Sequence, residues 1–370
     1  FCCSNSWLLF GFDNRALLNE NIETIVGSSS AGRRKQFHKI ANFSFQADIG
    51  DDAAIGVRIN ARHVACIRIA IGIAISYFKK KEKIMTNYLQ DRLVKFEAAL
   101  DGAGVDGILV TNLTNVYYLT GFSGTSATLF ISKKRRIFVT DARYTLIAKS
   151  VVKGFDILDN RDALGEIAKV IADDKLTSIG FDSQVTYGFY QQLSQVFAGY
   201  ELKSLTDFVE KIRMIKDAQE VATIRQACSI SDRAFVDVLD FIKPGQTTEL
   251  QVANFLDFRM REYGASGVSF ESIVASGYRS AMPHGVASDK VIETGESLTL
   301  DFGCYYNHYV SDMTRTIHIG QVSDQEREIY DVVLRANQAL IDQAKAGLSF
   351  ADFDGIPRAV IAEAGYGANF

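Results

Sequence analysis

Apolar residues recur at helical spacing from residue 87 onward. Leu89, Leu93, Phe96 and Leu100 fall three and four apart, so residues 87–103 are expected to form an amphipathic helix. Residues 107–111 (GILVT) are a short apolar run of strand length, and 127–131 with 136–140 read as a hairpin around Ser-Lys-Lys-Arg. Helical stretches near 142–152, 163–172 and 186–197 then alternate with strand-like runs at 155–158, 178–182 and 201–205. Strand–helix alternation places helices over a largely parallel or mixed sheet. Residues 85–207 are therefore expected to be a complete α/β domain.

The pattern changes after residue 207. Asp217, with Glu220 three residues on, resembles a capping box and opens a long helix whose apolar face is expected at Val221, Ile224, Cys228, Phe235, Val238 and Ile242. Pro244-Gly245 ends it. A helix at 248–263 precedes strands, and a helical pair at about 323–346 and 350–364 follows them. This second domain, 208–370, is of α+β type.

The informative stretch is 297–320, SLTLDFGCYYNHYVSDMTRTIHIG, which alternates with period two on both sides of Tyr-Tyr-Asn-His. Folded as a hairpin centred between Tyr306 and Asn307, it sets Asp301 opposite Asp312 and Thr299 opposite Thr314. Leu298, Leu300, Phe302, Met313, Ile317 and Ile319 then share a core face, and Thr299, Asp301, Asp312, Thr314 and Thr316 share the other. Directly opposed side chains have Cβ atoms roughly 4.5–5.5 Å apart, and like charges there repel. Either the acidic face is open to water and each Asp is hydrated, or the pair shares a proton or a cation. A hard divalent metal such as Mn²⁺ suits such oxygen ligands. His284 ends a Gly/Pro-containing loop, SGYRSAMPHG, His308 lies in the expected turn, and His318 falls on the acidic face about 20 Å along the strand from Asp312.

Charge and composition narrow the field. The chain has 370 residues, with 40 Lys and Arg against 44 Asp and Glu, a balance that leaves no nucleic-acid footprint. Five scattered cysteines (Cys2, Cys3, Cys66, Cys228, Cys304) form no CxxC pair and read as buried apolar residues or surface thiols of a cytoplasmic protein. Lys133–Arg136 is a solvated turn or, alternatively, an anion site. Residues 1–84 differ from the rest, with 12 basic against 7 acidic residues. Their longest apolar run, 64–78, contains Arg68 and is too short to span a membrane. Lys-Lys-Glu-Lys at 80–83 is encoded by purine-rich codons just before Met85, as a ribosome-binding site is. Residues 1–84 are thus expected to be translated upstream sequence without a defined fold.

The motifs IKDAQEVATIRQAC, MPHG and LDFGCYYNHYVSDMTRT resemble those of the pita-bread metallopeptidases, specifically the bacterial Xaa-Pro aminopeptidases and Xaa-Pro dipeptidases. NVYYLTGFSGTSATLF and FVTDARY resemble the N-terminal domain of the same enzymes, so the resemblance covers about 85–370. It implies a creatinase/prolidase-type N-terminal domain of mixed sheet followed by an incomplete pita-bread domain. It also implies two divalent ions per complete site, Mn²⁺ by preference, with Asp301 and Asp312 as metal ligands and His284 contacting substrate or the tetrahedral intermediate. Short proline-containing peptides would be the partners, with no nucleic acid or membrane, and the full-length family is expected to be homodimeric. The compact first domain and YYLTGFSG favour an aminopeptidase over a dipeptidase. The family's remaining ligands, one His and two Glu, belong after a segment like AEAGYGANF, where this sequence stops. An inactive chain is therefore expected, with a non-catalytic peptide-binding protein as the alternative of another class. Retention of both aspartates argues against a metal-free creatine amidinohydrolase, and the first domain argues against a methionine aminopeptidase.

Overall fold

In the computed structural model, residues 36–40, 43–49, 55–57 and 88–370 are described. Three strands lie within the leader: β1 (Gln36–Ile40), β2 (Phe43–Ile49) and β3 (Ile55–Val57), paired antiparallel in that order. These strands lie within the segment expected to be translated upstream sequence, and the sequence of β2 carries the period-two alternation Phe43, Phe45, Ala47, Ile49. The 64–78 run and Met85 lie outside the described residues. Among the described residues no helix is long and apolar enough to cross a membrane.

The chain divides into two compact units, Phe1–Gln219 and Glu220–Phe370. The first is built on a six-stranded sheet of order β7-β6-β5-β4-β8-β9. Its strands are β4 (Gly107–Val110), β5 (Thr128–Ser132), β6 (Arg136–Thr140), β7 (Asp156–Asp159), β8 (Ser178–Asp182) and β9 (Glu201–Leu205). Only β5 runs against its neighbours, antiparallel to β4 and β6, while β4, β8 and β9 are parallel, as are β6 and β7. This is the mixed sheet that the alternation predicts. Helix α1 (88–103) buries Leu93, Phe96 and Leu100, each worth about 1.5–3 kcal/mol of apolar transfer.

Two short helices carry no clear period and escape the sequence reading. Helix α2 (Leu113–Thr120) is set by its ends: Asn112 Oδ1 accepts from the Thr114 and Asn115 amides, and Gly121 closes it at φ 72°. The units' boundary also falls later than residue 207, because a second such helix buries Val209 in the first unit's core together with Phe208 and Ile212. Between these two come α3 (Thr145–Val151), α4 (Ala163–Asp173) and α5 (Tyr187–Val196), and the boundary helix Phe208–Arg213 is α6. Three of the four basic side chains of the turn pair with acids, Lys133 with Asp101 at 2.6 Å, Arg135 with Asp174 at 3.1 Å and Arg136 with Glu97 at 2.6 Å, and Lys134 donates to the Asp174 carbonyl. Asp141, just after β6, takes three hydrogen bonds from Arg143, two of them from its guanidinium, which hold its carboxyl well below the usual carboxylate range. Tyr144 shares a 2.8 Å hydrogen bond with Thr125 and packs edge-on to Phe122, so TDARY forms a strand-end packing cluster.

The second unit opens with α7 (Ala218–Phe241), which buries Thr223, Ala227, Ile230, Ser231, Ala234 and Val238. The buried stripe is rotated from the one expected, for Val221 and Cys228 are exposed. The face turned inward carries small residues, which a search for large apolar side chains passes over. Helix α8 (Glu249–Glu262) begins with a Thr248–Gln251 capping box. It is followed by β10 (Gly267–Val268), β11 (Ile273–Ser276), β12 (Ser297–Phe302), β13 (Cys304–Tyr306), β14 (Tyr309–Val310) and β15 (Met313–His318). They form two antiparallel three-stranded sheets, β11-β12-β15 and β10-β13-β14. Helices α9 (Asp324–Gln343) and α10 (Phe350–Glu363) close the chain and pack through Val332, Ala336 and Ile361.

Candidate active site

The acidic hairpin forms, in a register two residues from the one expected. Asp301 lies opposite Thr314 and Phe302 opposite Met313, and the same register continues through Tyr305–Val310 and Tyr306–Tyr309. The turn is Asn307-His308, with φ 46° and 68°. Two consecutive positive φ values match a type I′ hairpin turn, whose handedness suits the twist of the strands. A two-residue turn moves the centre one position along the chain, so Asp312 meets Gly303 and stands diagonal to Asp301. A shift of two leaves every side chain on its expected face. Leu298, Leu300 and Phe302 are buried, and Met313 and Ile317 pack against that core.

Diagonal positions on one face lie about 7–8 Å apart, against about 5 Å for opposed ones. Repulsion between the two acids is correspondingly weaker than the sequence reading supposed. Asp301 is half-buried and accepts a 2.9 Å hydrogen bond from Thr314 Oγ1, while Asp312 is exposed. Gly303, opposite Asp312, cannot carry a side chain: a Cβ there would sit 2.0 Å from the Ser311 carbonyl oxygen. Ser311 anchors the segment before Asp312. Its Oγ is 2.7 Å from Ser231 Oγ and accepts from the Cys304 amide, and its carbonyl accepts from Ser269 Oγ. Cys304 itself is a buried apolar residue whose thiol burial pushes up in pKa.

His284 is exposed, on the loop between β11 and β12. Val286, two residues later, bridges Ile273, which pairs in turn with Asp301. Val286, Ile273, Asp301 and Thr314 thus form one cross-strand row, with neighbouring chains about 4.8 Å apart. The loop is tied down by Glu249, the first residue of α8, which is fully buried. Its Oε1 accepts from the Ser276 amide (2.7 Å) and Oγ (2.9 Å). Its Oε2 accepts from Arg279 Nε (3.0 Å), the Ser288 amide (3.2 Å) and Ser288 Oγ (2.6 Å). Burial pushes the Glu249 pKa up, and the Ser288 and Ser276 hydrogen bonds with the Arg279 charge outweigh it, leaving the group below its ordinary value. Lys290 Nζ donates to Ser276 Oγ and to both oxygens of Glu296, the residue before β12.

His308 sits exposed in the turn. His318 belongs to the far end of the sheet, opposite Ser297, with Nε2 2.8 Å from the Gln321 carbonyl. Sequence reading missed Glu249, because an acid in the first turn of a helix is commonplace and its partners lie 27 to 39 residues away. It missed Ser231 and Ser311 for the same reason. Glu220, read as half of a capping box, accepts a 2.8 Å hydrogen bond from Tyr309 Oη in the hairpin.

Asp301 and Asp312 are hard oxygen donors on one face, clear of the core, and they fit a divalent cation such as Mn²⁺. Among the described residues no group of three or more His, Cys, Asp or Glu converges on a metal position. In the first unit a cavity of about 360 Å³ is lined by Asp182, Asp207 and Glu210 among others. It contains none of the residues read as chemical from the sequence, and the row at Asp301 is the better candidate.

A mixed-sheet unit followed by a unit with an acidic hairpin and a His-bearing loop is the arrangement of a two-domain metallopeptidase. The chain belongs to metallopeptidase family M24: that family's profile matches residues 222–370, and the creatinase/prolidase N-terminal domain matches 92–215. Its second unit accordingly has the pita-bread fold. An uncharacterised peptidase of Bacillus subtilis is 44% identical over 281 residues, 75% of this chain and 79% of the relative. The solved Xaa-Pro dipeptidase from Bacillus anthracis is 42% identical, with TM-score 0.72 over 76% of this chain and 79% of its own. The X-Pro aminopeptidase from Thermotoga maritima is 36% identical, with TM-score 0.68 over 73% and 79%.

Proposed function

We propose that this protein hydrolyses the Xaa-Pro bond of dipeptides. This departs from both the aminopeptidase and the inactive chain expected from the sequence. It is supported by the greater likeness to the Bacillus anthracis dipeptidase, 42% against 36% identity for the aminopeptidase. The observation that carries the chemistry is the row that brings Asp301, with diagonal Asp312, alongside the chain leaving His284.

An Xaa-Pro bond is a tertiary amide whose nitrogen has no N–H. Its recognition must come through the carbonyl and the chain termini. Asp301, oriented by Thr314, and Asp312, held beside the Ser311 anchor, would be the carboxylate ligands of a divalent cation. Such a cation, once bound, polarises the scissile carbonyl. His284 would donate a hydrogen bond to the oxygen on which negative charge grows, where a preorganised donor has the most effect. The exposed tip of its loop leaves room for a peptide to approach.

The test is hydrolysis of Xaa-Pro and Xaa-Pro-Yaa peptides by the full chain in the presence of Mn²⁺. Cleavage of the dipeptide at a kcat/KM about tenfold or more above the tripeptide supports the proposal, and the reverse order returns the aminopeptidase. Asp301→Asn and Asp312→Asn should each reduce both Mn²⁺ uptake, read by calorimetry, and hydrolysis. Uptake and rate unchanged in either variant would remove the hairpin from the site.

A further inference from the structure

Apart from the Val286–Ile273 bridge and its own turn bonds, the His284 loop is held at its ends. Residues 281–284 are exposed, and the loop's regular structure is a single 3-10 turn, Gly277–Ala281. Its anchors sit at its two ends, the buried Ser276 and the half-buried Ser288, and both bond to one carboxylate. Glu249 grips Ser276, eight residues before His284, with one oxygen, and Ser288, four residues after it, with the other. Arg279, between them, bonds Glu249 Oε2 through Nε and the Val286 carbonyl through Nη2 at 2.6 Å.

We propose that Glu249 is a positioning residue for His284, its buried carboxylate closing the 276–288 loop from both ends and so fixing where the imidazole meets a bound peptide. The inference rests on the assignment of His284 to the peptide site. Five donors converge on two oxygens that offer about four lone pairs, so the carboxylate is saturated and no neutral group replaces it. A glutamine has the same shape but presents an amide donor to one of the two ends. That end then faces donor against donor and opens. A reacting group displaced by about 1 Å can lose on the order of a hundredfold in rate, without touching the substrate itself.

The variants Glu249→Gln, His284→Ala and their combination, in the full chain, separate the possibilities. Hydrogen exchange read peptide by peptide should show residues 276–288 exchanging about tenfold faster in Glu249→Gln, with α7 and β12 unchanged. His284→Ala should leave that exchange as it is. For Xaa-Pro dipeptide hydrolysis, Glu249→Gln should lower kcat/KM by about ten- to a hundredfold, and adding His284→Ala to it should cost less than about threefold more. A merely structural role predicts independent, multiplying losses. Should Glu249→Gln fail to fold, Ser288→Ala removes one donor at the downstream end and is expected to show the same pattern at smaller size. Unchanged loop exchange, or multiplying losses, overturns the positioning role. A His284→Ala variant with the rate of the unaltered chain, or an unaltered chain that hydrolyses no Xaa-Pro peptide, overturns the functional assignment beneath it, while the exchange measurement still reports on the clamp.

Discussion

Glu249 shows how a single buried charge can be stable. Its carboxylate is sealed from water, which alone would favour the neutral acid, yet hydrogen bonds from Ser288 and Ser276 and the charge of Arg279 keep it ionised. Lys290 and Glu296 extend the network as a second matched pair. Removing the acceptor strands its donors, so Glu249→Gln is expected to cost about 1–3 kcal/mol near neutral pH. Because the folded pKa lies below the ordinary value of 4.5, this contribution is complete above that pH and is lost as pH falls through the folded pKa. The stability gap between the unaltered protein and Glu249→Gln, measured by denaturant unfolding, should therefore narrow as the pH is taken below 4.5.

At the scale of the element, the hairpin Ser297–His318 joins two sheets without changing register, and two positions make that possible. Asn307 and His308 both adopt positive φ, 46° and 68°. A β-branched residue there is expected to destabilise by more than about 1 kcal/mol, whereas His308→Gly should be neutral or mildly stabilising, as thermal unfolding of His308→Val and His308→Gly would show. Gly303 lets the strand pass the Ser311 carbonyl. A methyl group 2.0 Å from that oxygen and 2.7 Å from its carbon must push backbone aside, so Gly303→Ala is expected to cost about 1–3 kcal/mol. It should also weaken Mn²⁺ binding, because Asp312 follows Ser311 directly. A Gly303→Ala protein of unchanged stability and Mn²⁺ affinity would show that the segment adapts freely.

For the whole molecule, family membership rests on two units matched in order along the chain. The hairpin carries two carboxylates, and Leu298, Leu300 and Phe302 anchor the Asp301 strand in the second unit's core. Truncating Leu300 to Ala, a fully buried position, is expected to cost about 2–5 kcal/mol. Its far-side partner on the strand, Asp301, should then lose Mn²⁺ affinity as well as the fold losing stability, both readable by calorimetry.

Element type and order were legible in the sequence because they depend on local period: 3.6 for α1 and α8, two for β12 and β15. The acidic face and the core face were legible for the same reason, since a register slip of two residues preserves both. The helices α2 and α6 were not, being too short for a period to emerge. Nor was the register itself, which depended on whether Asn307 and His308 would adopt positive φ. Glu249, Ser231 and Ser311 were hidden altogether, because a hydrogen bond between residues 27 to 80 apart leaves no trace in either local neighbourhood. Chain periodicity decides which side of a strand is wet, and only the closed tertiary structure decides which distant groups share its buried carboxylate.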